Sequence, residues 1–504
     1  MKTVYLDQKK LSIKYLFQLA ESNNIKLELS EKAWSKIKKS HEYFKNSLYN
    51  GKQVYGTSTG FGANVLTSTK SLNLQTNLSR YLDCAQGPII EELESRAALI
   101  ARTYVLMQGY SGVSPSLILA MLNMYNRQIS PIIPQWGALG ASGDLVTAAP
   151  MARLINGDDV ECWHQGKLTH SSEIKKLLKT HKLNHRDGLA VMNGLSITAV
   201  LMASAVQKLE DLLSVSLKSI AATKVAIGAD PETEAEIVNS APTRQHSGQK
   251  QMAKALHNLY KSSHSNNREG APLQDEYSLR CLGQILGPIY DSIKQSKSWI
   301  QSELLSVSDN PVVNPAVGIQ SGGNFFGGYL ATASDYMAIA AAKLGELLER
   351  QSFHLVSGNR NLPNNLIIQS DADDLFHGLK GLHQICSSLQ MQINHYSNPV
   401  STLSRSSESH NQDIVSNAMN GYLRLDKQIE VLQSLSTVHS ILSAQAIDLS
   451  ESVLKGSLRS WHSKVREYVP FINKDQSLRN EIKNLCDDFF NKSSSHPMEQ
   501  KNAA

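Results

Sequence analysis

The chain has 504 residues, 41% of them hydrophobic and 19% charged, with a net charge of +5. That length allows two to four domains around a sizeable core, and the positive excess is too dilute, with no basic block, to suggest a nucleic-acid partner. Cys84, Cys162, Cys281, Cys386 and Cys486 are scattered and odd in number, so a disulfide framework is not expected, a reducing compartment is, and no pair has metal-ligand spacing.

The N-terminus, Met1-Lys2-Thr3-Val4-Tyr5-Leu6-Asp7, lacks an uninterrupted apolar core, and no run of 18 apolar residues occurs; the expectation is a cytoplasmic protein without a membrane span. Residues 1–195 mix short apolar runs with glycine- and proline-bearing stretches such as Pro131-Ile132-Ile133-Pro134, and read as an irregular, loop-rich N-terminal domain. Lys36-Ile37-Lys38-Lys39, Lys175-Lys176 and the i, i+4 pair His181 and His185 read as solvated helix faces, with no metal site. From residue 196 the pattern lengthens. Val206, Leu209, Leu213, Leu217 and Ile220 form one apolar helical stripe, and similar periodicity predicts helices over 277–307, 331–356, 374–397 and 426–454. Ala338-Ile339-Ala340-Ala341-Ala342 suits close helix contact. The expected fold is mainly α: a long central bundle over 196–455, preceded by the N-terminal domain and followed by a helical segment, 456–504, whose polar end from Asn491 is expected to fray.

Several glycine- and asparagine-rich segments interrupt this framework. In chain order they are Tyr55-Gly56-Thr57-Ser58-Thr59-Gly60-Phe61-Gly62, Gly140-Ala141-Ser142-Gly143-Asp144-Leu145, Gly188-Leu189-Ala190-Val191-Met192-Asn193-Gly194 and Gln274-Asp275-Glu276-Tyr277-Ser278-Leu279-Arg280. Ser308-Asp309-Asn310-Pro311, Ser321-Gly322-Gly323-Asn324-Phe325, Asn359-Arg360-Asn361-Leu362-Pro363 and His410-Asn411-Gln412-Asp413 follow. Together, across about residues 50–450, they resemble the histidine, phenylalanine and tyrosine ammonia-lyase family.

The resemblance implies that Ala141, Ser142 and Gly143 condense autocatalytically into 4-methylideneimidazol-5-one (MIO), the Gly143 nitrogen closing on the Ala141 carbonyl and Ser142 losing its hydroxyl as water. The resulting methylidene is electron-poor and takes the amine of a small amino acid substrate, making it a better leaving group. Tyr55 is then the candidate base for the β-proton, on a glycine-flanked loop able to act as a lid, with its phenol tuned below its ordinary pKa of about 10. Arg280 offers a two-donor fork to the substrate carboxylate, and Tyr277 lies three residues earlier on the same helical face. Asn193 and Asn324 match positions that bind the ring carbonyl and the carboxylate, while Gln274 and Phe325 match pocket positions. The family also implies a homotetramer whose active sites are assembled from three subunits.

Tyr81-Leu82 falls where the family reads the substrate ring. It sits nearest to the Phe-Leu pair of phenylalanine lyases, compared with His-Leu in tyrosine lyases and Ser-His in histidine lyases. Gln412 stands where histidine lyases carry glutamate, and Glu408 where phenylalanine lyases carry one near the amine, so an imidazole substrate is disfavoured. Ser58, Leu195 and Val146-Thr147-Ala148-Ala149 depart from the family pattern near the pocket. The reading is therefore an aromatic amino acid ammonia-lyase that converts L-phenylalanine, or also L-tyrosine, to a cinnamate-type arylacrylate. Its alternatives are an aromatic amino acid 2,3-aminomutase, then a histidine ammonia-lyase, and last a non-catalytic helical scaffold. The Gly-Ser-Ser serine loop of fumarase-like helical lyases is missing.

Overall fold

The computed structural model describes residues 1–69, 71, 73–265, 272–369 and 375–490. The fold is mainly helical, and its contacts divide it into two units, each discontinuous in sequence. Met1–Ser204, Ser296–Asp335 and Pro399–Leu423 make the first; Ala205–Gln295, Tyr336–Asn398 and Arg424–Ala504 make the second. The expected frayed tail lies outside the described residues.

The first unit holds more regular structure than its glycine and proline content suggests. Glu31–Tyr49, Glu92–Met107, Pro115–Asn126 and Leu145–Asn156 are helices. Glu92–Met107 is buried on nearly every face, which removes the amphipathic signature that marks a surface helix. Short sheets edge this core: Lys2–Tyr5 runs parallel to Ile25–Glu28, and Ile129–Pro131, Glu161–His164 and Lys167–His170 form an antiparallel ladder. Two expectations change here. Lys175 and Lys176 are exposed but lie in turns, and His181 is in coil and His185 in a turn, with His181 buried and bonded through Nε2 to Asp187 at 2.7 Å. The pair at i, i+4 spacing is no solvated helix face, because a buried carboxylate six residues on, itself bound by Ser114, takes the first imidazole inward.

In the second unit the apolar stripe belongs to the helix Ser196–Ile227, from residue 205 onward. Serines and threonines pair it with the Ala418–Leu449 helix: Ser216 with Ser436 at 2.9 Å, Ser219 with His439 at 2.8 Å and Thr223 with Ser443 at 2.8 Å. Both numbers rise together, so the two helices run parallel. Burial drives the His439 pKa down to about 3, so its ring stays neutral inside this stripe. The helices Gly328–Val356 and Lys380–His395 are antiparallel, as Gln390 to Ala342 and Ser387 to Glu349 show. The helix expected over 277–307 is broken into Tyr277–Arg280 and Leu282–Leu305, and the last long helix begins at Ala418, eight residues before the position expected from periodicity.

Candidate active site

The Gly140–Asp144 turn is held from several sides. Gly140 O accepts from the Ser416 hydroxyl at 2.8 Å and from Gly327 N at 3.1 Å, while Asn417 N donates to Leu139 O at 2.8 Å. On its other side Asp144 N donates to Gly194 O at 2.7 Å. The fully buried Asp144 carboxylate caps the helix that starts at Ser196, accepting from Ile197 N at 2.8 Å, Thr198 N at 3.2 Å and the Thr198 hydroxyl. Burial still raises its pKa to about 6, against the pull of those donors and of Arg102. Arg102, wholly buried, fixes the preceding segment by donating to Ala190 O and to Asn193 O at 2.7 Å.

Gly143 has φ +74°, and a Cβ there would sit 2.0 Å from Gly194 O. Only glycine fits that bend without strain and without pushing the two strands of chain apart. Ala141 is buried beside it.

Ala141 and Ser142 open into a cavity of about 280 Å³ lined also by Tyr55, Asn193, Asn310, Phe325 and Gln412. Gln412 Nε2 donates to Ser142 Oγ at 3.1 Å, and the Asn193 side-chain oxygen is buried without a partner. Gln412 is aimed by paired backbone bonds with Ser407, 2.9 and 3.2 Å, across a loop in which Glu408, Ser409 and His410 all have positive φ. Three successive non-glycine residues in that region are held there by their surroundings, a pattern associated with functional loops.

Tyr55 Oη accepts from Gly62 N at 2.9 Å. Its pKa is raised, first by burial and then by the Glu408 charge, with the Gly62 N–H opposing. The expected depression of this phenol is therefore not found within the unit: the nearby charge is a carboxylate. Glu408 packs so closely on Gly62 that a side chain there would collide with it, and its charge adds to partial burial in raising the phenol of Tyr81, which ends the Leu74–Tyr81 helix, while Leu82 is buried.

The structure thus brings together Tyr55, Ala141, Ser142, Asn193, Phe325 and Gln412, with Glu408 and Tyr81 beside Tyr55. Asn324, next to Phe325, donates to Val307 O at 3.3 Å and lines a different cavity with Trp299 and Tyr329. Gln274, Tyr277 and Arg280 belong to the second unit and form a group of their own. Arg280 Nη1 donates to Gln274 Oε1 at 2.5 Å, and its guanidinium stacks 4.7 Å from the centre of the exposed Tyr277 ring. Asn310 and Asp144 carry weight that the sequence reading missed. Both sit inside segments already singled out, and Asn310 lines the Ser142 cavity while its Oδ1 accepts from Gly322 N at 2.9 Å.

A sequence profile described as aromatic amino acid lyase matches residues 11–467, and the chain belongs to that family, whose members break carbon–nitrogen bonds. It is 30% identical to a probable histidine ammonia-lyase of Thermoplasma volcanium, over 89% of this chain and 91% of that one. It is 32% identical to a tyrosine 2,3-aminomutase of a Myxococcus species, over 83% and 84%. Its fold superposes on the crystal structure of a tyrosine aminomutase from Streptomyces globisporus with a TM-score of 0.88, 25% identity and 97% of both chains covered. Among the described residues no helix is long and apolar enough to cross a membrane, and no group of three or more His, Cys, Asp or Glu side chains is placed to hold a metal ion.

Proposed function

We propose that this enzyme acts on a carbocyclic aromatic α-amino acid, L-tyrosine or L-phenylalanine, and moves its amine to the neighbouring carbon as a 2,3-aminomutase, with the arylacrylate as a side product. The observation that carries the substrate class is the Gln412 amide donating to Ser142 Oγ in the cavity. A neutral amide gives an imidazole ring no charged acceptor, so the histidine lyase reading is the weaker one despite the similarity to such relatives. Retention of the acrylate is supported by the Tyr55 loop. Gly60 N to Thr67 O at 2.8 Å and Thr69 N to Ser58 O at 3.0 Å brace it internally, and Gln75 Nε2 to Gly56 O at 2.7 Å fastens its base to the Leu74–Tyr81 helix. A closed loop keeps the acrylate in place for re-addition of the amine.

The Ala141–Gly143 turn fits formation of MIO: the bend at Gly143 excludes a Cβ, and Asn193, whose buried side-chain oxygen has no partner, lines the same cavity and would hold the ring. When formed, that group supplies the electrophile for the substrate amine. Tyr55 is placed to take the β-proton, and its raised pKa calls for a cation from outside the unit. Phe325 gives the substrate ring an apolar wall, and Tyr81 and Leu82 bound the approach to it. Tyr277 is exposed and Arg280 half-buried in the second unit; together they offer a carboxylate clamp, which supports a homotetramer in which copies share sites.

A second reading, ammonia-lyase activity on phenylalanine giving cinnamate, is favoured by the apolar Leu82. Incubation with phenylalanine, tyrosine and histidine, followed by chromatography, separates the readings. β-Amino acid supports the mutase, acrylate alone supports the lyase, and Ser142→Ala must abolish both. For the shared site, Tyr55→Phe and Arg280→Met chains are each expected to be inactive alone and partly active when co-assembled; no recovery on mixing refutes sharing.

A further inference from the structure

Arg280 can receive a substrate carboxylate only while its own charge is uncommitted, and the sequence places two competitors beside it, Asp275 and Glu276. The Glu276 carbonyl accepts from Arg280 N at 3.0 Å, so one helical turn separates the two residues. A glutamate four residues before an arginine is the favoured order for an ion pair on a helix. That pair is not formed. Among the described residues Arg280 has no carboxylate partner, and its buried Nε has no hydrogen-bond partner.

Arg360 takes both carboxylates instead. Its Nη2 donates to Asp275 Oδ1 and to Glu276 Oε2, each at 2.9 Å, from a side chain only 12% exposed. Asp275 is buried and is also held through Oδ2 by Asp230 N at 2.7 Å, whereas the Glu276 side chain is 48% exposed and would be free to turn without Arg360. The backbone that delivers Arg360 is unusual, since Arg360 and Asn361 have φ +56° and +59°. Successive non-glycine residues persist in that region only where their surroundings hold them, and the two carboxylates are part of that hold.

We propose that Arg360 is a positioning residue for substrate affinity: by occupying Asp275 and Glu276 it keeps Arg280 free for the substrate carboxylate. The inference rests on the reading of Arg280 as the carboxylate clamp and is indifferent to the substrate ring, because every α-amino acid presents the same carboxylate.

The test is kcat and KM for whichever of phenylalanine, tyrosine and histidine the wild-type enzyme converts fastest, in Arg360→Gln, Glu276→Gln and the double variant, with thermal unfolding of each. Arg360→Gln releases Glu276 onto Arg280 and should raise KM about threefold, the scale of an ion pair at this spacing, with kcat little changed because ground state and transition state lose the clamp alike. Glu276→Gln alone should match wild type, and the double variant should return KM to near the wild-type value, a rescue that general loosening of the segment does not produce. Arg360→Lys, which keeps the charge, should also stay near wild type. Because Asp275 is buried, each chain is also made with Asp275→Asn, which removes the uncompensated charge that opposes folding of Arg360→Gln. An unchanged KM in Arg360→Gln, or a rise that Glu276→Gln fails to reverse, overturns the proposal. An Arg280→Met enzyme with wild-type rate and KM removes the clamp reading and this inference with it; an inactive one beside an unaltered Arg360→Gln removes this inference alone.

Discussion

Asp144→Asn tests which of two opposing effects governs the carboxylate that ties the Ser142 turn to the helix beginning at Ser196. Donation from Ile197 N, Thr198 N and the Thr198 hydroxyl favours the charged form, whereas complete burial favours the neutral one. The balance falls to burial, with the pKa moved from 3.8 to about 6. A carboxyl whose folded pKa lies above its unfolded value contributes stability that is fully present below about pH 4 and lost as pH rises through about 6. The shift of roughly two units corresponds to about 3 kcal/mol. Asparagine matches the protonated carboxyl in shape and has no such dependence. In urea unfolding, the stability gap between wild type and variant should therefore move by about 3 kcal/mol in favour of the variant between about pH 4 and about pH 8. Taking the difference cancels the other titrating groups except Glu303, whose pKa burial raises to about 7 with help from Asp144 and which should fall in the variant. Parallel pH profiles, or a variant that loses ground as pH rises, refute the reasoning and give the balance to the three donors.

Gly143→Ala places a Cβ 2.0 Å from Gly194 O at φ +74°, and the chain should fold yet fail to lose the two waters of ring closure, as intact-mass spectrometry would report. Gln412→Glu puts a charged acceptor at the Ser142 hydroxyl, and the ratio of kcat/KM for histidine over tyrosine should rise by about tenfold or more. Lys224→Met strips the partner from the buried Glu234, which leaves only Tyr260 and Thr233 as donors, and should cost about 3–5 kcal/mol in thermal unfolding. Adding Glu234→Gln should restore part of that loss, since the uncompensated charge goes with it.

The long helices were legible because each of them hides one face. Val206, Leu209, Leu213, Leu217 and Ile220 repeat at helical spacing and are buried. Glu92–Met107 was not legible as a helix because burial on all sides erases that repeat, and Arg102 within it satisfies carbonyls of Ala190 and Asn193, a partnership from 88 and 91 residues away that no local pattern encodes. The site followed the same division. Gly143 could be read as indispensable because a bend without a Cβ is a local demand, and the geometry at Gly194 O gives its reason. His181 could not, since its fate depends on Asp187 and on Ser114, which lies far from both in sequence. Asn310 was passed over as part of a turn motif, although its side chain both braces Gly322 and lines the cavity.

The electrostatics of Tyr55 give this division a consequence for assembly. A phenol acting as base near neutrality must be stabilised as phenolate by positive charge, but the cavity around Ser142 is lined by amides, aromatic rings and the Asp413 carboxyl, and by no lysine, arginine or histidine. Glu408 beside Tyr55 raises the phenol further. Arg280, by contrast, has a side-chain amide and an exposed ring for neighbours, with Gln274 holding one end of its guanidinium and Tyr277 lying against its face. The segment that carries it is clamped from behind: Asp275 accepts from Asp230 N at 2.7 Å and from Arg360 at 2.9 Å, and Gln351 donates to Ser278 O at 2.8 Å. Rigid support for a half-buried cation is what a contributed catalytic part would require, since its geometry must be set before substrate binds. The chain therefore carries a cation-poor site in one unit and a braced cation in the other. The proposed association of copies is one way for the substrate carboxylate and the Tyr55 phenolate to obtain that charge, and the co-assembly of Tyr55→Phe and Arg280→Met chains tests it.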